Sequence, residues 1–131
     1  MSETTADPYR SGCPSRDLLD RIGDKWTVLV LGGLADGEPH RFTALRKQIS
    51  GVSEKMLTQT LRALEADGMV VRTVHASVPP RVDYRLTPLG KTLRDPLLAL
   101  RQWSVEHTSE VLAARANYAA ARTPTAGAIL Q

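Results

Sequence analysis

The chain has 131 residues, 42% of them hydrophobic and 24% charged, with a formal net charge of +3. One compact domain with its own core fits that length; a doubly wound nucleotide-binding domain plus a substrate domain does not. The longest aliphatic run, Val28 to Leu31, falls far short of the ~20 residues of a membrane-spanning helix. The start, Met1 to Arg10, is polar and acid-containing, unlike a signal peptide. A single cysteine, Cys13, allows no intrachain disulfide and suits a reducing compartment. The expectation is a soluble, cytoplasmic protein. Its charge is uneven: residues 1–40 carry 4 basic and 7 acidic side chains, residues 41–94 carry 10 and 4, and residues 95–131 carry 3 and 3. The excess of positive charge lies in the middle of the chain, which suits a polyanionic partner but also an ordinary solvated surface.

Residues 1–13 have no periodicity and read as a flexible arm. Pro14 opens a short helix with Leu18, Leu19 and Ile22 on one face, ending at Gly23. Asp24 caps a second, largely buried helix predicted from Lys25 to about Asp36, in which Gly32-Gly33 points to close packing against a neighbour. Thr43 is the expected cap of a third helix reaching Ile49, and Ser50-Gly51 breaks it. Ser53 caps a fourth running to Asp67, with Gly68 as its stop. The period then changes: Met69 to Val74 and Val82 to Leu86 read as paired strands, joined by a projecting loop with Pro79 and Pro80. Thr87-Pro88 restarts helix, Asp95-Pro96 marks a kink or restart, and an apolar stripe of Leu97, Leu100, Trp103, Val111 and Leu112 continues beyond the compact region. From Thr123 the chain reads as a frayed tail.

Two short helices separated by Ser50-Gly51-Val52 and followed by a hairpin form a winged helix-turn-helix. The expected fold is therefore mainly α with a small β-hairpin. Its domain spans residues 14–107, and residues 108–131 form a helical extension and tail. Several blocks also resemble HxlR-type transcriptional regulators: Cys13-Pro14, Ile22-Gly23-Asp24-Lys25-Trp26, Arg41-Phe42-Thr43-Ala44-Leu45-Arg46, Ile49 to Ser53, Lys55-Met56-Leu57-Thr58, Leu61 to Gly68, and Val78 to Gly90. The resemblance covers roughly residues 13–107, in order and with matching spacings. It implies a homodimeric, DNA-binding bacterial regulator, usually of nearby genes; the apolar faces of the first and last helices make them the expected dimerisation helices.

On the fourth helix Val52, Leu57, Leu61 and Leu64 face the core, while Lys55, Thr58, Gln59 and Arg62 follow one another at i, i+3, i+4 and i+7 on another face. Such donors suit base edges and phosphates, and the N-terminal residues of a reading helix usually reach the bases. Ser53, Lys55, Thr58 and Gln59 are the base-reading candidates, and Arg62 is assigned to a phosphate. Arg41, Arg46 and Lys47, around the helix that crosses the backbone, are phosphate candidates, with plain surface charge as the alternative. Arg81 is expected at the tip of the wing. Arg85 is read either as a DNA contact or as the partner of Asp83 or Glu65. Trp26 and Trp103 sit on apolar faces, as core, dimer interface or ligand contact. Pairing the long C-terminal helix with its copy would bury its apolar face and set two reading helices about 34 Å apart, one turn of a palindromic operator.

Cys13 beside Pro14 has two readings. Helix dipole and Arg16 favour a thiolate, and the resemblance places Cys13 at the cysteine through which some family members sense oxidants or electrophiles; the other reading is a packed structural thiol. His40, His75, His107 and Cys13 lack metal-ligand spacing, and neither a phosphate-cradling glycine loop nor a nucleophile constellation is present. No cofactor, metal, membrane or enzymatic activity is expected. The partners expected are an operator duplex, a second copy and an oxidant or small-molecule effector. A winged-helix module that binds another protein in place of DNA is the alternative.

Overall fold

In a computed structural model the structure describes residues 7–122. The arm as far as residue 6 and the tail from Thr123 lie outside the described residues. The elements are α1 (Pro14–Ile22), α2 (Lys25–Gly33), β1 (His40–Arg41), α3 (Phe42–Gln48), α4 (Glu54–Ala66), β2 (Val70–His75), β3 (Arg81–Leu86) and α5 (Pro88–Arg122). The chain divides into two compact units, the second beginning at Leu98 within α5.

Local chemistry sets most boundaries. Asp24 accepts a hydrogen bond from the Thr27 amide at 3.2 Å and starts α2. α2 stops at Gly33, short of the expected Asp36. Beside the two glycines the ladder tightens to three-residue spacing, Leu34 N–H to Leu31 O and Ala35 N–H to Gly32 O, and the turn closes with Gly37 N–H on Leu34 O. The expected close packing is present: a Cβ on Gly33 would lie 3.2 Å from a Leu45 methyl of α3.

α3 begins one residue before the expected cap, because Arg41 ends β1 in extended conformation and passes directly into Phe42, with no side-chain cap from Thr43. β1 itself was not anticipated. It pairs antiparallel with β3, His40 opposite Tyr84 and Arg41 opposite Asp83, so the hairpin becomes a three-stranded sheet in the order β1-β3-β2. β2 and β3 pair in the register that sets Val70 opposite Leu86 and His75 opposite Arg81.

The core joins Val30, Leu31 and Leu34 with Leu45 and Ile49, the α4 face Leu57, Leu61 and Leu64, the sheet residues Val70, Tyr84 and Leu86, and Leu97. Each fully buried leucine contributes about 1.5–3 kcal/mol by leaving water. The step from sheet to α5 is fixed by Thr87, whose hydroxyl donates to Gly68 O at 2.6 Å and accepts from the Gly90 amide at 3.0 Å. Gly90 is needed for the approach: a Cβ there would lie 2.2 Å from the Met69 carbonyl oxygen. α5 continues as one helix through Pro96, so of the expected kink or restart the restart does not occur. In the second unit Leu100, Trp103, Val105, Leu112 and Tyr118 are exposed. On α1 no residue is buried, and Leu18 and Leu19 are exposed. Among the described residues no helix is long and apolar enough to cross a membrane.

Candidate nucleic-acid interface

α4 is rolled by its buried stripe. With Leu57, Thr60, Leu61 and Leu64 inward, Lys55, Gln59 and Arg62 are exposed and Thr58 is half-buried. The Ser53 hydroxyl accepts from the Met56 amide at 3.0 Å, so its oxygen is engaged in capping and its hydrogen is what remains to offer a partner. The predicted face is thus presented, but its members part along two flanks.

On one flank Thr58 and Arg62 look across to the wing. They line a cleft of about 850 Å³ whose other walls include Arg41, Thr43, Arg72, Tyr84 and the wing segment 77–82. Four arginines, Arg41, Arg62, Arg72 and Arg81, face a single acid, Glu65. On the other flank Gln59 and Met56 border a shallow depression shared with Asp17, Asp20, Arg21 and Asp24 of α1 and the α2 cap. Its one cation, Arg21, is held 2.9 Å from Asp67. The exposed face of α4 therefore sits between a basic wall and an acidic one. Lys55 lines neither hollow and lies in the first turn.

Among the described residues Arg41, Lys47, Lys55, Arg62, Arg72 and Arg85 pair with no carboxylate. Arg46 differs: its guanidinium lies 3.6 Å from Glu54, an exposed pair that links α3 to α4. The wing corrects two expectations. Arg81 is not at the tip; it opens β3, only partly exposed, with Nε 3.6 Å from Asp83, and the tip is the exposed stretch Ala76 to Pro80. Arg85 is exposed and does not pair with Asp83, because that carboxylate is engaged by His75 at 2.9 Å and by Arg81; Arg85 is also absent from the cleft. Arg72, a further donor that the sequence places on the hairpin, lines the cleft together with Tyr84, its cross-strand partner on the same face of the sheet.

Trp26 packs partly buried against the core, with the Lys25 ammonium 4.6 Å from its ring centroid. Trp103, in the second unit, is about half exposed and stacks on His107 with centroids 4.8 Å apart. Cys13 is buried at the N-cap of α1, with Sγ 3.1 Å from the Ser15 hydroxyl. Burial pushes its thiol pKa up; the Ser15 hydroxyl and the backbone amides of Ser15, Arg16 and Asp7 outweigh that and leave it below the ordinary thiol value. Among the described residues no three His, Cys, Asp or Glu side chains gather as a metal site.

With this geometry in view, the relatives are informative. The family model of the HxlR-like helix-turn-helix matches residues 21–111. The HTH-type transcriptional regulator YtfH of Escherichia coli (strain K12) is 48% identical over 112 residues, covering 86% of this chain and 88% of the relative. The structure of the transcriptional regulator ytfH from Salmonella typhimurium superposes with a TM-score of 0.78 at 46% identity, over 83% of this chain and 96% of that one. The redox regulator HypR in its reduced form superposes with a TM-score of 0.69 at 37% identity, over 76% of this chain and 98% of that one.

Proposed function

The chain belongs to the HxlR-like helix-turn-helix family, whose members are transcriptional regulators and not enzymes, and from that premise we propose that it acts as a cytoplasmic homodimer on an inverted-repeat operator. One observation carries the reading. Thr58 and Arg62 of the exposed α4 face line an arginine-rich cleft whose other wall is the wing, and among the described residues three of its four arginines, Arg41, Arg62 and Arg72, pair with no carboxylate. Backbone affinity comes from Arg41, Arg46, Lys47, Arg62, Arg81 and Arg85, and we add Arg72. Sequence choice comes from Lys55 and Thr58, with Ser53 and Gln59 at the margins of the reading face. Exposed apolar side chains on α1, and separately those along residues 98–122, Trp103 among them, are what a second copy would cover. Trp26, partly buried against the core, then serves as a packing residue.

Cys13 supplies the regulatory half of the proposal. A lowered pKa at a helix N-terminus favours the reactive thiolate of Cys13, and a solved relative, HypR, is named a redox regulator. Oxidation to a mixed or intersubunit disulfide would alter the dimer and the separation of its reading helices. Selection of bound fragments from random duplexes, followed by footprinting, tests the core of this reading. The expected product is a palindrome with half-sites one helical turn apart, bound less tightly by Lys55→Ala. Enrichment of no sequence, or unchanged affinity for Lys55→Ala, would overturn it. A non-reducing gel and a binding assay after mild oxidant treatment test Cys13; equal responses from wild type and Cys13→Ser would leave it a packing residue.

A further inference from the structure

The least expected chemistry in the first unit is a buried carboxylate in the wing. Asp83 is 8% exposed, in the central strand of the sheet. Its Oδ2 receives His75 Nε2 at 2.9 Å and faces Arg81 Nε at 3.6 Å. His75 ends β2 and Arg81 opens β3, opposite one another in the ladder, so one carboxylate ties both strands where the wing loop leaves the sheet. Arg41 of β1 is the cross-strand neighbour of Asp83 on its other side and has no carboxylate partner among the described residues. Buried carboxylates are costly unless paired and hydrogen-bonded, so their presence asks for a reason. Here Oδ1 of Asp83 and Nε of Arg81 are both buried without a hydrogen-bond partner, so the contact is not an optimised structural salt bridge.

The geometry suggests a use. Asp83 approaches the guanidinium at Nε, next to the aliphatic stem, and the two terminal nitrogens lie at the far end of the group. Those terminal nitrogens can grip a phosphate bidentately from the end of the group, and Arg81 lines the cleft beside Arg62 and Arg72. We infer that Asp83 is a positioning residue for DNA binding: its carboxylate, braced by His75, lies as an ion-pair contact 3.6 Å from the Nε side of Arg81, so that the terminal nitrogens are presented to a backbone phosphate. This rests on the DNA-binding reading above. It departs from a simple charge count, in which a carboxylate among arginines could only weaken binding.

A double-mutant cycle with a spectroscopic arm tests it. In the free protein, nitrogen-detected spectra should show His75 protonated at Nε2 and a slowly exchanging Arg81 Nε–H, both lost in Asp83→Asn; an Arg81 Nε–H that exchanges equally fast in both proteins would overturn the inference. This arm needs no DNA, so a wild-type protein that fails to bind duplex would count against the DNA-binding reading while the clamp is judged on the spectra. In titrations of a fluorescein-labelled duplex of mixed sequence at low salt, Asp83→Asn should weaken binding about tenfold and reduce the salt slope by about 1, as loss of one phosphate contact would. On an Arg81→Ala background the same change should have less than about a twofold effect. Arg81→Lys keeps the charge but not the grip; it should lose affinity like Arg81→Ala, and it keeps the test decisive if Asp83→Asn fails to fold. Tighter binding by Asp83→Asn, an equal loss on both backgrounds, or full binding by Arg81→Lys would each overturn the proposal.

Discussion

The two flanks of α4 are built from the same helix and differ in sign. Toward the wing, Arg41, Arg62, Arg72 and Arg81 surround one glutamate; toward α1, Asp17, Asp20 and Asp24 surround one arginine that already has a partner. A single amphipathic helix has no means of creating that asymmetry. It arises because the core fixes the roll of α4 and the neighbouring elements bring charge of opposite sign to its edges. The difference gives α4 a direction: a polyanion would be drawn toward the wing and repelled from α1.

The comparison breaks most completely if the roll is lost. Leu61→Ala removes a fully buried side chain beneath both flanks and should cost roughly 3 kcal/mol of stability, within the 2–5 typical of such truncations, measured by urea unfolding. Removing only the basic wall should leave the fold intact: Arg62→Ala with Arg72→Ala should weaken duplex binding about a hundredfold, seen by anisotropy, while melting temperature stays near wild type. Sharpening runs the other way. Asp20→Asn on the acidic flank should change duplex affinity less than about threefold, and upward, because an exposed charge there is screened. The smallest effect lies at the start of α1. Because the Cys13 thiol has a lower pKa folded than unfolded, its thiolate favours the native state; that stabilisation is complete above the unfolded value and fades as pH falls through the folded one. Wild type should therefore gain on Cys13→Ser in melting temperature as pH rises from neutrality toward ~9.

Much of this arrangement was legible from the residues alone, and the reason is local. Val52, Leu57, Leu61 and Leu64 repeat at helical spacing, so the roll of α4 could be predicted, and Asp24, Ser53 and Thr87 cap where their side chains can reach nearby amides. The parts that were not legible depend on pairing across the chain. β1 is two residues long and has no periodicity to detect; it exists because β3 offers it an edge. Asp83 was weighed as a partner for Arg85, two residues on in the same strand, but Arg81, two residues before it, and His75, diagonal to it across the ladder, take that carboxylate instead. Gln59 was grouped with Lys55 and Thr58 by spacing, and only the position of α1 shows that it borders the acidic side. Spacing identifies a face of a helix, whereas the charge that the face meets belongs to its neighbours.

The claim that the basic flank receives the nucleic acid is tested most directly by salt. Duplex affinity of wild type, Arg62→Ala with Arg72→Ala, and Asp17→Asn with Asp20→Asn would be measured across a range of sodium chloride concentrations. A slope that falls by about 2 in the arginine variant and stays at the wild-type value in the aspartate variant is the predicted result. An arginine variant with the wild-type slope, or an aspartate variant whose slope changes as much, would show that DNA does not lie against the wing side of α4.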